Sequence, residues 1–270
     1  MIIYKFHIQL EFGLPNLKIS KGGHVEMKGL ILAAGRGSRM GKSTENLPKC
    51  MTTLWSVPLV QYQLNALRGA GVKPIAMVSG YRKDCLPNND IIQYHNDVWE
   101  NTNMVYSLMC AQQFLENSEC IISYSDIAYS ENAINKIIDS KYDIAILYST
   151  KWLDIWKLRF DNPLSDAETL KICDNGRLLE IGKKTSQYED IQGQYTGIIR
   201  FTARGFQLFQ DTYNSLPENR KRSIDMTSMF SEMITNGVPV FGVPYDGFWL
   251  EVDNENDKEV YELQGQKYFE

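Results

Sequence analysis

The sequence lacks the features that mark membrane-spanning, disulfide-stabilised and zinc-binding proteins. Its 270 residues contain no run of about 18 apolar residues, which argues against a transmembrane helix and membrane insertion. The five cysteines are scattered and include no C-x-x-C pair, so they predict neither a disulfide framework nor a zinc site. They favour a reducing compartment, and the cytoplasm is therefore the expected location. The three histidines share no metal-ligand spacing.

A strong charge of one sign is also missing. The formal net charge is -5 at pH 7, so the composition favours neither a nucleic acid nor a membrane surface as a partner. The chain is long enough for one large α/β domain or two small ones, and we expect residues 27–270 to form a single domain.

Residues 1–26 do not continue the patterns of the remaining chain. Lys21-Gly22-Gly23 is what a purine-rich bacterial ribosome-binding sequence would encode in this frame, and Met27 follows a few codons later. One hypothesis is that the functional start is Met27 and that residues 1–26 are a non-native extension. The other is that they form an additional strand or arm of the domain.

The most informative stretch is a short apolar run followed by a glycine-rich segment. Residues 30–33 (LILA) predict a strand that is buried on both faces of a mainly parallel sheet. Residues 34–39 (AGRGSR) follow, and glycine there lets backbone N–H groups approach an anion closely. Arg39 adds a fixed fork of donors, and Lys49 adds a mobile point charge. Together these residues predict a nucleoside triphosphate site.

Two other kinds of phosphate loop fit this segment less well. A Walker loop requires a glycine five residues before Gly41-Lys42-Ser43, where the sequence has Arg36. The dinucleotide fingerprint that would begin at Gly35 requires its third glycine where Met40 stands. The triphosphate interpretation therefore rests on the whole string and not on a single glycine pair.

The string LAAGRGSRM at 32–40, followed by Thr44 and Pro48-Lys49, resembles the signature of the sugar-nucleotidyltransferase superfamily. The resemblance extends from residue 28 to about 261. It implies an α/β fold of three layers around a Rossmann-like mixed, mainly parallel sheet, and it implies catalytic roles for Lys49 and Arg39. The loop residues that it implies in nucleotide binding are Leu32, Ala33, Ala34, Gly35, Gly37 and Ser38.

Two later segments are candidates for contact with the nucleotide base. An apolar strand over 75–78 leads to Gly80-Tyr81, and members of the superfamily usually place such a GY pair beside the base. Residues 101–108 (NTNMVYSL) resemble the N-N-I-Y-S-L segment of phosphocholine cytidylyltransferases, which implies Tyr106 and Ser107 near a pyrimidine. From the residues alone, Ser107 is equally well explained as the cap of a helix.

Two aspartates that end predicted strands are the candidate metal ligands. Residues 120–125 (CIISYS) predict a strand that Asp126 terminates, and a buried carboxylate there is costly unless a hydrogen bond or a cation satisfies it. Mg²⁺ prefers carboxylate oxygens together with phosphate oxygens, although Asp126 could instead cap the next helix. Residues 249–253 (WLEVD) resemble the family's W-x-E-[IV]-D ending, which implies that Asp253 joins Asp126 as a magnesium ligand.

The acceptor site is expected in the second half of the chain. Trp152 and Trp156 lie among carboxylates in 151–166 and could hold a small ammonium group by cation–π contact, with core packing as the alternative. Lys183 and Lys184 resemble the lysine that meets the acceptor phosphate in the family, or they are solvated surface charge. Tyr195 and Gly197 match the family's Y-x-G-I segment, which lines the acceptor pocket. The expected substrate-binding residues are therefore Trp152, Trp156, Lys183, Lys184, Tyr195 and Gly197.

These features predict a magnesium-dependent nucleotidyltransferase. An acceptor phosphate or phosphonate oxygen would attack the α-phosphorus of a nucleoside triphosphate, and pyrophosphate would leave. The resemblance to cytidylyltransferases favours CTP with a phosphocholine-like or 2-aminoethylphosphonate-like acceptor. The alternatives are a hexose 1-phosphate nucleotidyltransferase that uses UTP or dTTP, and a catalytically silent regulator that binds nucleotide.

Overall fold

A computed structural model describes residues 27–264, so both hypotheses about residues 1–26 concern residues outside the described range. The described strands are β1 (Met27–Ala33), β2 (Thr53–Leu54), β3 (Val57–Pro58), β4 (Ile75–Ser79), β5 (Ile91–His95), β6 (Glu119–Tyr124), β7 (Ile127–Tyr129), β8 (Ile144–Ser149), β9 (Glu168–Ile172), β10 (Leu178–Lys184), β11 (Gln194–Phe201), β12 (Phe241–Tyr245) and β13 (Trp249–Glu251). The described helices are α1 (Leu59–Gly69), α2 (Met104–Met109), α3 (Gln112–Leu115), α4 (Glu131–Ile138), α5 (Trp152–Arg159), α6 (Ala203–Ser215), α7 (Glu218–Ser223), α8 (Met226–Thr235) and α9 (Glu255–Gln264).

A central sheet of seven strands organises the described residues. Its strand order is β12-β8-β11-β6-β1-β4-β5. All neighbouring pairs are parallel except those that involve β11, which runs antiparallel to both β6 and β8. The predicted mixed, mainly parallel sheet is therefore confirmed.

Apolar residues cover both faces of this sheet. Along β1, Ile31 and Ala33 point to one face, where α1, α4, α5 and α9 pack, while Leu30 and Leu32 point to the other, where α2, α3, α6 and α8 pack. All four side chains are buried, as expected for a parallel strand between two helical layers. The three-layer α/β arrangement is confirmed, and it places the carboxyl ends of β1, β4 and β6 at one edge, where ligands bind in such sheets.

Three smaller pairs of strands shape that edge. The pair β7–β13 is antiparallel, the hairpin β9–β10 turns at Asn175-Gly176, and β2–β3 precedes α1. The elements that were not predicted from the sequence include β5 and α7, and each of these two lacks a strong apolar pattern. Strand β5 lies at the edge of the sheet with Ile92 exposed, and α7 has the sequence ENRKRS, which contains no apolar residue.

No helix among residues 27–264 is long and apolar enough to cross a membrane. All five cysteines are unpaired.

Candidate active site

The short strand pair β7–β13 brings the two predicted metal ligands together. Asp126 directly precedes β7, and Asp253 follows β13 by two residues. In the antiparallel register Ile127 lies opposite Glu251, and the backbone N–H of Val252 donates to the carbonyl of Asp126 at 2.9 Å. Two carboxylates that are remote in sequence therefore share one end of a two-stranded ribbon.

The ammonium group of Lys49 lies between these carboxylates. Its Nζ donates to Asp126 Oδ2 at 2.7 Å and to Asp253 Oδ1 at 2.6 Å. Burial alone would lower the pKa of Lys49, but the charges and hydrogen bonds of the two aspartates outweigh it and hold the pKa well above its usual value. For Asp253, burial alone would raise the pKa, but the positive charges of Lys49, Arg39 and Arg159 together keep it below the usual value. The cluster therefore places one buried positive charge between two carboxylate groups.

The glycine-rich loop between β1 and β2 carries Lys49 to this position. Gly37 has a left-handed backbone with φ of +69°, and a Cβ atom there would lie only 2.7 Å from Cγ of Lys49. The carbonyl of Gly37 accepts from the backbone N–H of Met40 at 2.9 Å and from the hydroxyl of Thr44 at 2.8 Å. Only glycine fits both the backbone angle and the close passage of the lysine stem. Arg39 extends from the same loop, with 69% of its side chain exposed, and donates to Asp253 Oδ1 at 3.1 Å.

A cavity of about 160 Å³, which we call the glycine-loop cavity, opens beside this cluster. Lys49 and Asp126 form part of its wall. Trp99 forms another part, and it can approach the end of β1 because Gly80 has no side chain: a Cβ on Gly80 would lie 2.8 Å from Trp99 and 2.6 Å from the carbonyl of Ala34. The remaining lining residues are Leu32, Ala34, Gly35, Thr102, Asn103, Met104, Ser107, Tyr124 and Ser125.

Ser107 lines this cavity and lies within helix α2, not at its N-terminus. The N-cap of α2 is Asn103, whose side chain accepts from the N–H of Met104, so the explanation of Ser107 as a helix cap is wrong. The Ser107 hydroxyl oxygen accepts from Nδ2 of Asn96 at 3.0 Å, and Asn96 is itself buried. Because that bond uses the oxygen, the hydroxyl proton of Ser107 is available to an acceptor atom in the cavity.

A second cavity of about 400 Å³, the hairpin cavity, lies between the β9–β10 hairpin, α8 and the cluster. It adjoins the glycine-loop cavity, since Asn103, Met104 and Tyr124 line both. The residues that line it otherwise are Arg39, Trp156, Asp166, Glu168, Thr169, Leu170, Ile181, Lys184, Gln194, Tyr195, Gly197, Asp225, Met226, Thr227, Glu251 and Asp253.

The end of the hairpin cavity away from Lys49 is acidic. Asp166, Glu168 and Asp225 face it, and Lys184 is the lysine in its wall. Burial raises the pKa of Glu168, and the charge of Asp225 adds to that effect while Lys184 opposes it. Asp225 has its position fixed as the N-cap of α8, where it accepts from the N–H of Ser228 at 2.7 Å. The part of the wall around Glu168 and Asp225 therefore carries an excess of carboxylates.

The predicted residues divide between these cavities and the surrounding structure. The two cavities bring together Leu32, Ala34, Gly35, Arg39, Lys49, Ser107, Asp126, Trp156, Lys184, Tyr195, Gly197 and Asp253. The residues outside both linings are Ala33, Gly37, Ser38, Gly80, Tyr106, Trp152 and Lys183.

Three of the predicted residues outside the cavities have clear structural partners. Ala33 is buried at the end of β1 and pairs with Ser79. Trp152 stacks on Tyr188 with ring centroids 6.3 Å apart. Lys183 is exposed and forms an ion pair with Glu180 at 2.5 Å.

Several lining residues were missed by the sequence reasoning. Trp99 stands before the NTN segment, but no spacing ties it to Gly80. Glu168 and Asp225 lie in unrelated segments of the sequence and meet only because α8 packs against β10. Their acidic side chains resemble ordinary surface charge in the sequence, so only the folded chain identifies them.

The donor set of the cluster fits a magnesium ion. Asp126 Oδ1 is buried and has no hydrogen-bond partner, although a carboxylate oxygen in such a place needs one. Lys49 already shows that a cation is favoured between the two aspartates. Among residues 27–264 no group of three or more His, Cys, Asp and Glu side chains has metal-binding geometry, so the remaining ligands would be phosphate oxygens and water. Magnesium sites with one or two carboxylates and substrate phosphates are the common kind.

Comparison with known proteins shows which family the chain belongs to. Residues 29–155 match the family model of the MobA-like NTP transferase domain. Over 250 residues the chain is 36% identical to a CTP:phosphoglutamine cytidylyltransferase of Campylobacter jejuni subsp. jejuni serotype O:2, a match that covers 87% of this chain and 98% of that protein. A choline-phosphate cytidylyltransferase of Streptococcus pneumoniae is 36% identical over 99 residues, which cover 35% of this chain and 43% of the relative.

The fold also has a solved counterpart. The structure of an inositol-1-phosphate CTP transferase from T. maritima superposes with a TM-score of 0.69 at 22% sequence identity, over 90% of this chain and 96% of that one. At this level of identity the likeness concerns the fold alone. The match to the Campylobacter protein, in contrast, runs along nearly the whole of both sequences.

Proposed function

Because this chain belongs to the nucleotidyltransferase family that includes the cytidylyltransferases, and is an enzyme of that class, we propose that it transfers CMP from CTP to a small phosphorylated or phosphonate acceptor. An acceptor oxygen attacks the α-phosphorus, the bond from that phosphorus to the bridging oxygen breaks, and the electron pair leaves with pyrophosphate. The observation that carries the proposal is the Lys49–Asp126–Asp253 cluster at the junction of the two cavities. It supplies charge where the attack would occur.

The cluster supports catalysis by electrostatics and alignment. No protein nucleophile is required, since the barrier comes mainly from repulsion between anions and from poor alignment. Asp126 and Asp253 would hold Mg²⁺, which when bound neutralises charge on the triphosphate. Lys49 then leaves the aspartates and pairs with the α-phosphate. Arg39, exposed at the cavity mouth, pairs with the terminal phosphates.

The glycine-loop cavity suits the nucleotide. Leu32, Ala34 and Gly35 line it, and a Cβ atom at Gly35 would meet only open space. The Ser107 hydroxyl can donate to the carbonyl oxygen or ring nitrogen of a pyrimidine, since Asn96 already occupies its oxygen. This arrangement supports a pyrimidine nucleotide, and the names of the cytidylyltransferases that the chain resembles favour CTP as the donor.

The hairpin cavity suits an acceptor that carries an ammonium group. The acceptor phosphate can lie beside the metal ion that Asp253 would hold, and the acidic end of the cavity, with Glu168 and Asp225, can face a positive group. Lys184 lies beside that acidic end and could pair with a carboxylate. A phosphorylated amine or amino acid has this distribution of charge, and the Campylobacter relative is named for phosphoglutamine.

Pyrophosphate release tests the proposal. The protein is incubated with Mg²⁺, each of the four common nucleoside triphosphates, and phosphoglutamine, phosphocholine, 2-aminoethylphosphonate or a hexose 1-phosphate. We expect release with CTP and one nitrogen-containing acceptor, and none after EDTA is added. Release with UTP or dTTP and a hexose 1-phosphate would assign the chain to the sugar branch instead. Measurable nucleotide binding without release for any pair would favour the regulator.

A further inference from the structure

A buried arginine lies directly behind Asp253, the aspartate of the cluster that lines the hairpin cavity. Arg159 is the last residue of α5, and its side chain is completely buried. Its Nη2 donates to Asp253 Oδ2 at 3.3 Å and to Asp257 Oδ2 at 2.9 Å, and its Nη1 donates to Glu251 Oε2 at 3.0 Å. It lines neither cavity, so it cannot touch a substrate.

The two oxygens of the Asp253 carboxylate have different partners. Oδ1 accepts from Lys49 and from Arg39, both of which line a cavity. Oδ2 accepts from Arg159 on the buried side. Rotation of the carboxylate out of its present plane would break the bond to Arg159, so the arginine fixes the orientation in which one oxygen faces Lys49.

The backbone of Asp253 is fixed by the same unit. Its N–H donates to Asp257 Oδ2 at 2.8 Å, which is the oxygen that also accepts from Arg159. Asp257 lies in the first turn of α9 and is fully buried, and its own N–H donates to the side chain of Asn254 at 2.9 Å. Side chain and backbone of Asp253 are thus held by one arginine–aspartate pair.

We propose that Arg159, supported by Asp257, is a positioning residue that holds the Asp253 carboxylate in one orientation, so that one of its oxygens faces the metal ion while the other is bonded to Arg159. The proposal rests on the function proposed above, in which Asp253 is a metal ligand. The side chain of Arg159 is completely buried and lines neither cavity, so its bonds to Asp253 and Asp257 remain when Lys49 pairs with the nucleotide. The orientation of Asp253 is therefore already set before metal and nucleotide arrive.

The matched control is Arg200. This arginine is 6% exposed, as Arg159 is, and also bonds a carboxylate and a second oxygen: Glu119 Oε2 at 2.6 Å and the carbonyl of Tyr142 at 2.8 Å. Glu119 begins β6, whereas Asp126 lies beyond its other end, so Arg200 is remote from the cluster. Arg200→Lys measures the general cost of replacing a buried, forked guanidinium by an ammonium.

The experiment compares Arg159→Lys with Arg200→Lys in the full-length protein. Two readouts come from turnover: the Mn²⁺ concentration that gives half-maximal turnover, and the KM of the acceptor. The third is the affinity for Mn²⁺ in the presence of CTP and the absence of acceptor, measured by water proton relaxation enhancement. Loss of a residue that orients a metal ligand typically costs about 10- to 100-fold in metal affinity or activity. We expect weakening of that size for Arg159→Lys in both metal readouts, with the KM of the acceptor unchanged within about twofold. Arg200→Lys should match the wild type in all three.

A second variant covers the case in which Arg159→Lys does not fold. Asp257→Asn keeps the size of the side chain and an oxygen for the Asp253 N–H, but it removes the charge that holds Arg159. It should shift the metal readouts in the same direction by a smaller factor. Wild-type metal affinity in both Arg159→Lys and Asp257→Asn would overturn the positioning role. An equal loss of metal affinity in Arg200→Lys would also overturn it. A wild-type protein that neither binds Mn²⁺ with CTP nor turns over would instead refute the function on which the proposal rests.

Discussion

Replacement of Lys49 by methionine tests whether this lysine substitutes for a metal ion in the free enzyme. The change removes the ammonium but keeps an unbranched stem that can pass beneath Gly37. Asp126 and Asp253 then lose a cation that lies 2.7 and 2.6 Å from them. The side chains of Lys49, Asp126 and Asp253 are only 10%, 21% and 11% exposed, so solvent replaces little of the lost interaction.

The expected cost can be stated as a free energy of unfolding. Removal of one partner of a buried pair costs about 3–5 kcal/mol, and the partial exposure of Asp126 places this case near the lower limit. A divalent ion can then occupy the space between the aspartates, and at ten times its dissociation constant it would restore ~1.4 kcal/mol. In the wild type Lys49 competes for that space, so the same ion should stabilise the protein less. Turnover should fall by about 100-fold or more, since one cation that stabilises the transition state is lost.

Urea unfolding in EDTA and in a Mg²⁺ series measures both effects. Lys28→Met is the matched control, because Lys28 lies at the opposite end of β1 and donates to the carbonyl of Phe114 at 2.8 Å. The control should lose some stability without a change in the response to Mg²⁺. If Lys49→Met and the wild type gain equal stability from Mg²⁺, the lysine does not occupy the metal position. A turnover close to that of the wild type would remove Lys49 from the catalytic scheme.

Three further predictions concern the acceptor end and the buried thiols. Glu168→Gln should raise the KM of an ammonium-bearing acceptor about tenfold, since a hydrogen bond to a charged group contributes roughly 1.5–3 kcal/mol. Burial raises the pKa of Glu168, and the acceptor ammonium favours its ionised form, so the wild-type KM should rise as the pH falls through that pKa. Steady-state kinetics across pH should show this rise in the wild type and not in the variant. Trp156→Phe removes the hydrogen bond from Nε1 to Asp166 Oδ2 at 3.1 Å and should raise the KM of the same acceptor about fivefold. Trp152→Phe changes a residue outside the cavity and should leave that KM unchanged. Equal effects of the two changes would refute the assignment of Trp156 to the acceptor site. Burial raises the pKa of Cys50 to about 12, so iodoacetamide at pH 8 should leave this thiol unmodified in the native protein. The partly exposed Cys173 should react, and mass spectrometry can follow both residues. Rapid labelling of Cys50 would contradict its burial.

The sequence was sufficient to predict the core of the fold and one half of the site. Strand β1, the glycine-rich loop and Lys49 form one continuous segment, so their proximity follows from chain connectivity alone. Asp126 and Asp253 were predicted together only through resemblance. The physical cause of their proximity is the two-stranded pairing of β7 with β13. The strand that contains β13 was predicted, but the three residues of β7 are too few to show a pattern.

The remainder of the site depends on packing between distant elements. Arg159 has the position of a surface residue at the end of an amphipathic helix, and nothing in its neighbours signals the carboxylates that surround it. Glu168 and Asp225 belong to a hairpin and to a helix cap, and their shared cavity arises from the contact between α8 and β10. Local patterns cannot predict such contacts, because each residue satisfies its own segment in more than one way.

The positions of the cavity-lining residues along the chain separate the two substrates. Every residue that lines the glycine-loop cavity falls between 32 and 126, inside the segment 29–155 that the family model matches. The hairpin cavity takes most of its lining from 156–253, after that segment ends. The chain is therefore modular in sequence order: its first half can keep one nucleotide donor while changes confined to its second half alter the acceptor. Relatives that share the donor and differ in the acceptor are the expected outcome of such an arrangement.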